Sequence, residues 1–190
     1  MYPVFAVLLS LLLAFRSPAG PPVTERWSAW PVTRVFPAAV PGTSPSGARV
    51  TYRLAGVAAE ASCASAFQPG VVRTDCVTAL RATYADSTST FVATVGIAVL
   101  DGHSAPRGSG GRGLRPPTVR PVAFPGGPAE RFGEPQYYTG VVLSAHERYL
   151  VATAAGYADG RPFQPGDRVG SRLRAIARQL AVALHRSLTT

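Results

Sequence analysis

Lysine and asparagine are absent from this chain of 190 residues, so all nineteen basic side chains are arginine. Without asparagine there is no N-glycosylation acceptor. Cysteine occurs only twice, at Cys63 and Cys76, with no second Cys or His at metal-ligand spacing. That excludes a zinc finger and a CxxC redox pair, since zinc requires three or four ligands. Carboxylates number ten. None pair closely within one element; Glu130 with Glu134 comes nearest, so a glycosidase-type acid and base would have to be assembled by folding alone. Asp159 and Asp167 flank a Pro/Gly turn without the alternating acidic ligands of a calcium loop. No internal repeat of fixed period exists.

What is present is an apolar fraction of 46% against 15% charged residues. Such a chain can bury a core, and its length suits one domain preceded by a leader. The net charge of +9 accompanies an abundance of Ala, Gly, Pro and Arg. Two readings of that charge stay open: GC-rich coding, and a surface for anionic partners.

Residues 1–15 form an apolar run broken only by Ser10. As a helix it would reach about 22 Å, short of the roughly 30 Å hydrocarbon core, which places it nearer a signal peptide than a spanning helix. Ser17, Pro18 and Ala19 offer small residues to a peptidase. Arg16 lies beyond the run, and no basic residue precedes it. A start further upstream would lengthen the same segment into a single-pass anchor with its N-terminus inside. Under either outcome the chain from Gly20 onward lies outside the cytoplasm, at the outward face of the cell membrane or secreted. Two cysteines at such an address pair, and the expected disulfide Cys63–Cys76 closes a short loop worth about 3 kcal/mol. A helix buried in a cytoplasmic protein is disfavoured, because no polar face exists and Pro-rich sequence follows at once.

The expected organisation is a leader over residues 1–19, a Pro-rich stalk and first strand over 20–47, and an extracytoplasmic α+β domain over 48–187. In the stalk, Trp27 and Trp30 suit either a membrane interface or one edge of the core. A short edge strand is expected over residues 33–40. Residues 49–57 alternate cleanly as a half-buried strand. The Ala-rich stretch 58–67 predicts a short Cys-bearing helix, ended by Pro69-Gly70. Cys76 opens the next strand, and runs at 77–84 and 90–100 bracket a polar turn as the centre of the sheet. Residues 101–118, rich in Gly, Ser, Arg and Pro, read as an exposed loop. A strand is expected to return over 119–124, and a second hairpin over 137–143 and 149–155 around a turn at 144–148. Val169, Leu173, Ile176, Ala177, Leu180 and Leu184 then recur at helical spacing among arginines. That is an amphipathic helix facing a sheet rather than a membrane, since its apolar face lacks Trp and Phe. The fold class is therefore α+β, a mainly antiparallel sheet of five to seven strands with the C-terminal helix on one face.

Candidate chemistry is sparse. Residues 108–113 match the letters of a dinucleotide fingerprint, but Pro116-Pro117 forbids the helix whose N-terminus would receive the pyrophosphate. Around those glycines, Arg107, Arg112, Arg115 and Arg120 form a candidate anion-binding set for anionic lipid or wall polymer, nucleic acid being scarce outside the cell. Asp101, His103 and Ser104 are too close in sequence to assemble a triad. Ser144, His146 and Glu147 cluster in a hairpin turn, where solvated polar residues are ordinary. His146-Glu147 is no zincin motif, because Leu150 stands where a second His is needed. No catalytic, cofactor or metal site is assigned from the sequence.

The segments Asp75-Cys76-Val77-Thr78-Ala79-Leu80-Arg81-Ala82-Thr83-Tyr84, Thr94-Val95-Gly96-Ile97-Ala98-Val99-Leu100, Val122-Ala123-Phe124-Pro125 and Ala155-Gly156-Tyr157-Ala158-Asp159-Gly160-Arg161 resemble a group of uncharacterised actinobacterial proteins. The resemblance implies a membrane-anchored chain with an extracytoplasmic domain from about Trp27 to the C-terminus, and brings no established activity. Two departures stand out: such proteins carry a basic cytoplasmic lead before the anchor, and an Ala-rich helical stretch where this chain has its Gly/Arg loop. The resulting expectation is a non-enzymatic extracytoplasmic interaction domain near anionic lipid or wall polymer. Two alternatives remain: an exported hydrolase using Ser144 and His146, and a sensor or accessory subunit of a membrane complex. Partners would be the membrane through the N-terminal segment, an anionic lipid or polymer, and a membrane protein; no cofactor and no nucleic acid are expected.

Overall fold

The structure, a computed structural model, describes residues 30–72, 75–101, 116–145 and 148–189, with backbone alone at Thr139, Val141, Ser144 and Ala145. Three helices and six strands follow in the order α1 (Val32–Val35), β1 (Ala39–Thr43), β2 (Arg49–Val57), α2 (Cys63–Ala66), β3 (Cys76–Asp86), β4 (Phe91–Leu100), β5 (Tyr137–Ala145), β6 (Tyr149–Tyr157) and α3 (Gly170–Thr189). A single turn of 3₁₀ helix, Glu134–Gln136, leads into β5. The strands form one curled antiparallel sheet in the order β1-β2-β3-β4-β6-β5. Its centre is the β3–β4 pair, as the two apolar runs suggest, because only central strands are covered on both faces.

One face of the sheet packs on α3. Leu173, Ile176, Ala177, Leu180, Ala181, Leu184 and Leu188 turn inward against Tyr52, Tyr84, Val95, Ile97, Tyr138 and Val151. The helix touches the sheet from β5 and β6 to β1, so the sheet wraps round it. At the β1 edge the Gln179 side chain imitates a neighbouring strand: its Oε1 accepts from the Thr43 N–H at 2.7 Å and its Nε2 donates to the Thr43 carbonyl at 2.9 Å. Pro41, which has no N–H, occupies the next outward position on that edge. The short strand is thereby closed to further pairing.

Among the described residues, no long helix lies on the other face. Phe67, Val71, Val119, Ala129 and Phe132 cover Ala79, Ala98, Leu150, Ala152 and Ala154 from loops and from α2. An extended stretch through residues 118–124 lies across the sheet and is held by hydrogen bonds. Thr83 Oγ1 donates to the Val122 carbonyl at 2.7 Å, and Thr94 Oγ1 accepts from the Val122 N–H at 3.0 Å. The two hydroxyls also meet at 2.8 Å. Close approach requires Gly96 on β4, since a Cβ there would stand 2.4 Å from Val119 Cγ2.

Four local expectations are corrected. Residues 33–40 are not one strand: a helical turn over Val32–Val35 precedes β1, which starts only at Ala39. Pro31 is pre-set to start that turn, and Pro37 follows it. The Cys-bearing helix shrinks from ten residues to Cys63–Ala66, because Ala61 is drawn into a bridge with Ala79 and Ser62 caps what remains. The stretch 119–124 is not a strand but makes a single bridge, Val119 with Phe67; the Val122 N–H and C=O are directed to threonines, and the Phe124 N–H donates to the Ala129 carbonyl at 3.2 Å. The polar turn in the central hairpin starts later than read, since β3 runs on to Asp86, whose carboxylate Oδ1 accepts from the N–H groups of Thr90 and Phe91 at 2.9 Å each.

Candidate functional site

Cys63 and Cys76 are joined, their Cα atoms 6.2 Å apart. The link ties α2 to the start of β3 and suggests an oxidising, extracytoplasmic environment, because thiols in the cytosol stay reduced. Beside it lies an open, mainly apolar groove of about 610 Å³, with Phe67, Pro69, Val72 and Val77 along its walls.

The remaining sequence candidates are only partly visible. Arg107, Arg112, Arg115, His103, Ser104, His146 and Glu147 lie outside the described residues. Ser144 stands on β5 opposite Leu150, known by its backbone position alone. Arg120 is placed on the loop-covered face. Its N–H donates to the Ala66 carbonyl at 2.8 Å, and its guanidinium pairs with Glu134, both side chains being well exposed. At such exposure the pair adds little to stability.

Apart from Asp75 and Arg81, the buried polar side chains described are engaged in holding the fold. Thr78 donates to Glu60 at 2.6 Å, Thr118 to the Thr153 carbonyl at 2.7 Å, and Thr153 to the Ala177 carbonyl at 3.0 Å. Thr83, Thr94 and Asp86 make the bonds described above. Gln136 receives the Gly133 N–H and donates to the carbonyls of Arg131 and Gly160. Burial pushes Tyr52 up to about 12, with Asp86 adding to it, and burial raises Tyr84 further. Both phenols therefore stay protonated at neutral pH, and the Tyr84 hydroxyl donates to the Pro37 carbonyl at 3.1 Å. Asp75 and Arg81 are the exceptions. Both carboxylate oxygens of Asp75 and the Nε of Arg81 are buried without a hydrogen-bond partner, and burial, followed by the charge of Arg120, lowers the Arg81 pKa. Among the described residues no group of three or more His, Cys, Asp or Glu could hold a metal, and no helix is long and apolar enough to cross a membrane.

The surface is more informative than the interior. In α3 the inward arc consumes the leucines, and Arg172, Arg174, Arg178 and Arg186 are all exposed on the remainder. No carboxylate occurs anywhere along those twenty residues. Arg174 is steered by Tyr138, donating to its hydroxyl with the guanidinium 5.3 Å from the ring centroid. Between α3 and β1 runs a shallow groove of about 460 Å³, floored by Pro41, Ala175, Val182 and Ala183 and edged by Arg178 and Arg186. Large apolar side chains that are exposed among the described residues are Val32, Val57 and Val77.

No family model, no curated protein and no solved structure matches the chain.

Sequence reading placed the anion-binding arginines in the Gly/Arg loop and treated those of α3 as the solvated side of a core helix. The signal for the second set was nonetheless in the sequence, as four arginines with no acid on one helix. The positioning of Arg174 by Tyr138 was not, because the two residues are 36 apart and meet only through the fold.

Proposed function

We propose that this is a non-enzymatic extracytoplasmic domain that associates with an anionic surface, a lipid headgroup layer or a phosphate-bearing wall polymer, through the arginine-lined side of α3. The observation that carries the reading is the complete absence of carboxylates on a helix exposing four guanidiniums. On an ordinary solvated helix, acids and bases interleave, because i, i+4 pairs stabilise it and mixed charge limits self-repulsion. Here no acid of the helix offsets the repulsion among Arg172, Arg174 and Arg178, and an anionic partner would relieve it. Arginine suits the task, since its planar fork engages phosphate bidentately. Apart from Asp75 and Arg81, the buried polar groups are engaged in structural hydrogen bonds, which supports a binding role over a catalytic one. The disulfide supports the address, and residues 1–19 would provide a leader or an anchor.

The test uses the full chain held in neutral nanodiscs and titrated with a soluble poly(glycerol phosphate). Affinity is expected to fall at least tenfold between about 50 and 300 mM salt, as the Debye length contracts. A triple Arg172→Gln, Arg174→Gln, Arg178→Gln chain should lose most of the binding at either salt. Salt-independent binding, or a triple variant that binds as well as the parent, would refute the assignment.

A further inference from the structure

A second surface is built at one end of the domain. The levels along α3 can be followed from its contacts. Near its start, Gly170 abuts Tyr138, whose ring would lie 3.2 Å from a Cβ there, and Tyr138 pairs with Ala155 on β6. Two residues back along β6, Thr153 bonds to Ala177 at 3.0 Å. From Thr153 back to Tyr149 is about 13 Å at 3.3 Å per residue. Moving the same way along α3, about 10 to 16 Å separate Ala177 from the stretch Leu184 to Leu188 at 1.5 Å per residue. The C-terminal end of α3 and the start of β6 thus lie at one end of the molecule.

That end is where the described chain begins. Trp30 is half-buried, its ring centroid 6.0 Å from that of Tyr149, and the Arg34 guanidinium lies 4.5 Å from the Trp30 ring centroid. Val32 is 57% exposed, the most exposed large apolar side chain described. Arg34 and Arg148 are exposed beside them. Carboxylates described at this level are Glu60, which accepts from Thr78 on the loop-covered side, and Asp75 and Asp101 at the β3–β4 corner, to which the Arg148 carbonyl is bonded through the Leu100 N–H.

We infer that this end seats on the lipid headgroup layer, with Trp30 and Val32 entering the interface and Arg34 and Arg148 meeting lipid phosphates. The inference rests on the reading of residues 1–15 as membrane-inserted. The described chain enters the domain at this end, so a segment inserted through residues 1–15 tethers the domain by it. Its chemistry fits that place: a half-exposed indole with a polar N–H, an aliphatic side chain and two cations match the interfacial zone, where amphipathic rings and arginines are favoured. Tyr149, itself buried, buttresses the indole from the core side. In this orientation the α3 arginines face the wall polymer, the second of the two anionic partners proposed for them.

The experiment places the full chain, with Trp27→Phe to leave Trp30 as the reporter, in phosphatidylcholine–phosphatidylglycerol vesicles containing lipids brominated near the headgroup. Trp30 fluorescence should shift to the blue and lose at least half its intensity relative to unbrominated vesicles. Adding Val32→Asp with Arg34→Gln, both exposed positions, should restore most of it while circular dichroism stays unchanged. A chain that floats with the vesicles yet shows solvent-like, unquenched Trp30 overturns the seating while leaving the leader reading intact. A chain that does not float overturns both. Neither result bears on polymer binding by α3, which is read in nanodiscs.

Discussion

The two faces of the sheet are covered by different means. Under α3, seven inward side chains of one helix meet a continuous apolar surface, and stabilisation comes from area removed from water. On the opposite face the cover is irregular: a helical turn, an extended stretch and a 3₁₀ turn, with a disulfide at one side and a pair of threonines in the middle. A helix satisfies its own backbone, so a helix cover needs only apolar side chains. An extended cover brings unpaired N–H and C=O groups onto the sheet, and these must find partners there. Thr83 and Thr94 supply them for Val122. Helix cover is thus fixed by pattern, and loop cover by specific bonds.

The sharpest way to break this contrast is in the helix layer. Leu180→Ala, at a side chain with no accessible surface, should cost about 4 kcal/mol, because truncation removes transfer energy and leaves a cavity. Urea denaturation of the full chain, under non-reducing conditions, would measure it. A loss under about 1 kcal/mol would mean the helix is not the main cover. Removing the disulfide by Cys63→Ser with Cys76→Ser should cost about 3 kcal/mol, as expected from loop closure. Hydrogen exchange should quicken first in the residues around α2 and the stretch over Val119, with α3 little affected; uniform loss across both faces would argue against their independence. The smallest effect is expected for Thr94→Val, which keeps the shape but leaves the Val122 N–H without its acceptor. About 1 to 2 kcal/mol should be lost. A neutral result would show that the threonine pair only fills space.

Much of the fold was legible. The strand over Arg49–Val57 alternates as a half-buried strand does, and the run of β4 is apolar on two faces, so their places in the sheet followed from period and composition. The C-terminal helix was equally plain, since leucines and alanines at spacing three and four specify one buried arc. The errors fall where local pattern was weak. Ala58 to Ala61 carry good helix formers, but pairing Ala61 with Ala79 gained more than helix propensity could offer. Residues 119–124 read as a strand, yet they make a single bridge, and at Val122 both backbone groups go to threonine side chains instead of a neighbouring strand.

The sequence alone determined which segments are apolar, with what period, and where arginine stands without acid, because these properties are local and written residue by residue. Only the tertiary structure decided that Gln179 closes the β1 edge, that Tyr138 orients Arg174, and that Trp30 meets Tyr149 at the end where the described chain begins. Those contacts join residues 36 to 136 positions apart. Nothing in their immediate neighbourhoods distinguishes them from other exposed polar or aromatic side chains, and their partners exist only once the sheet has curled round its helix.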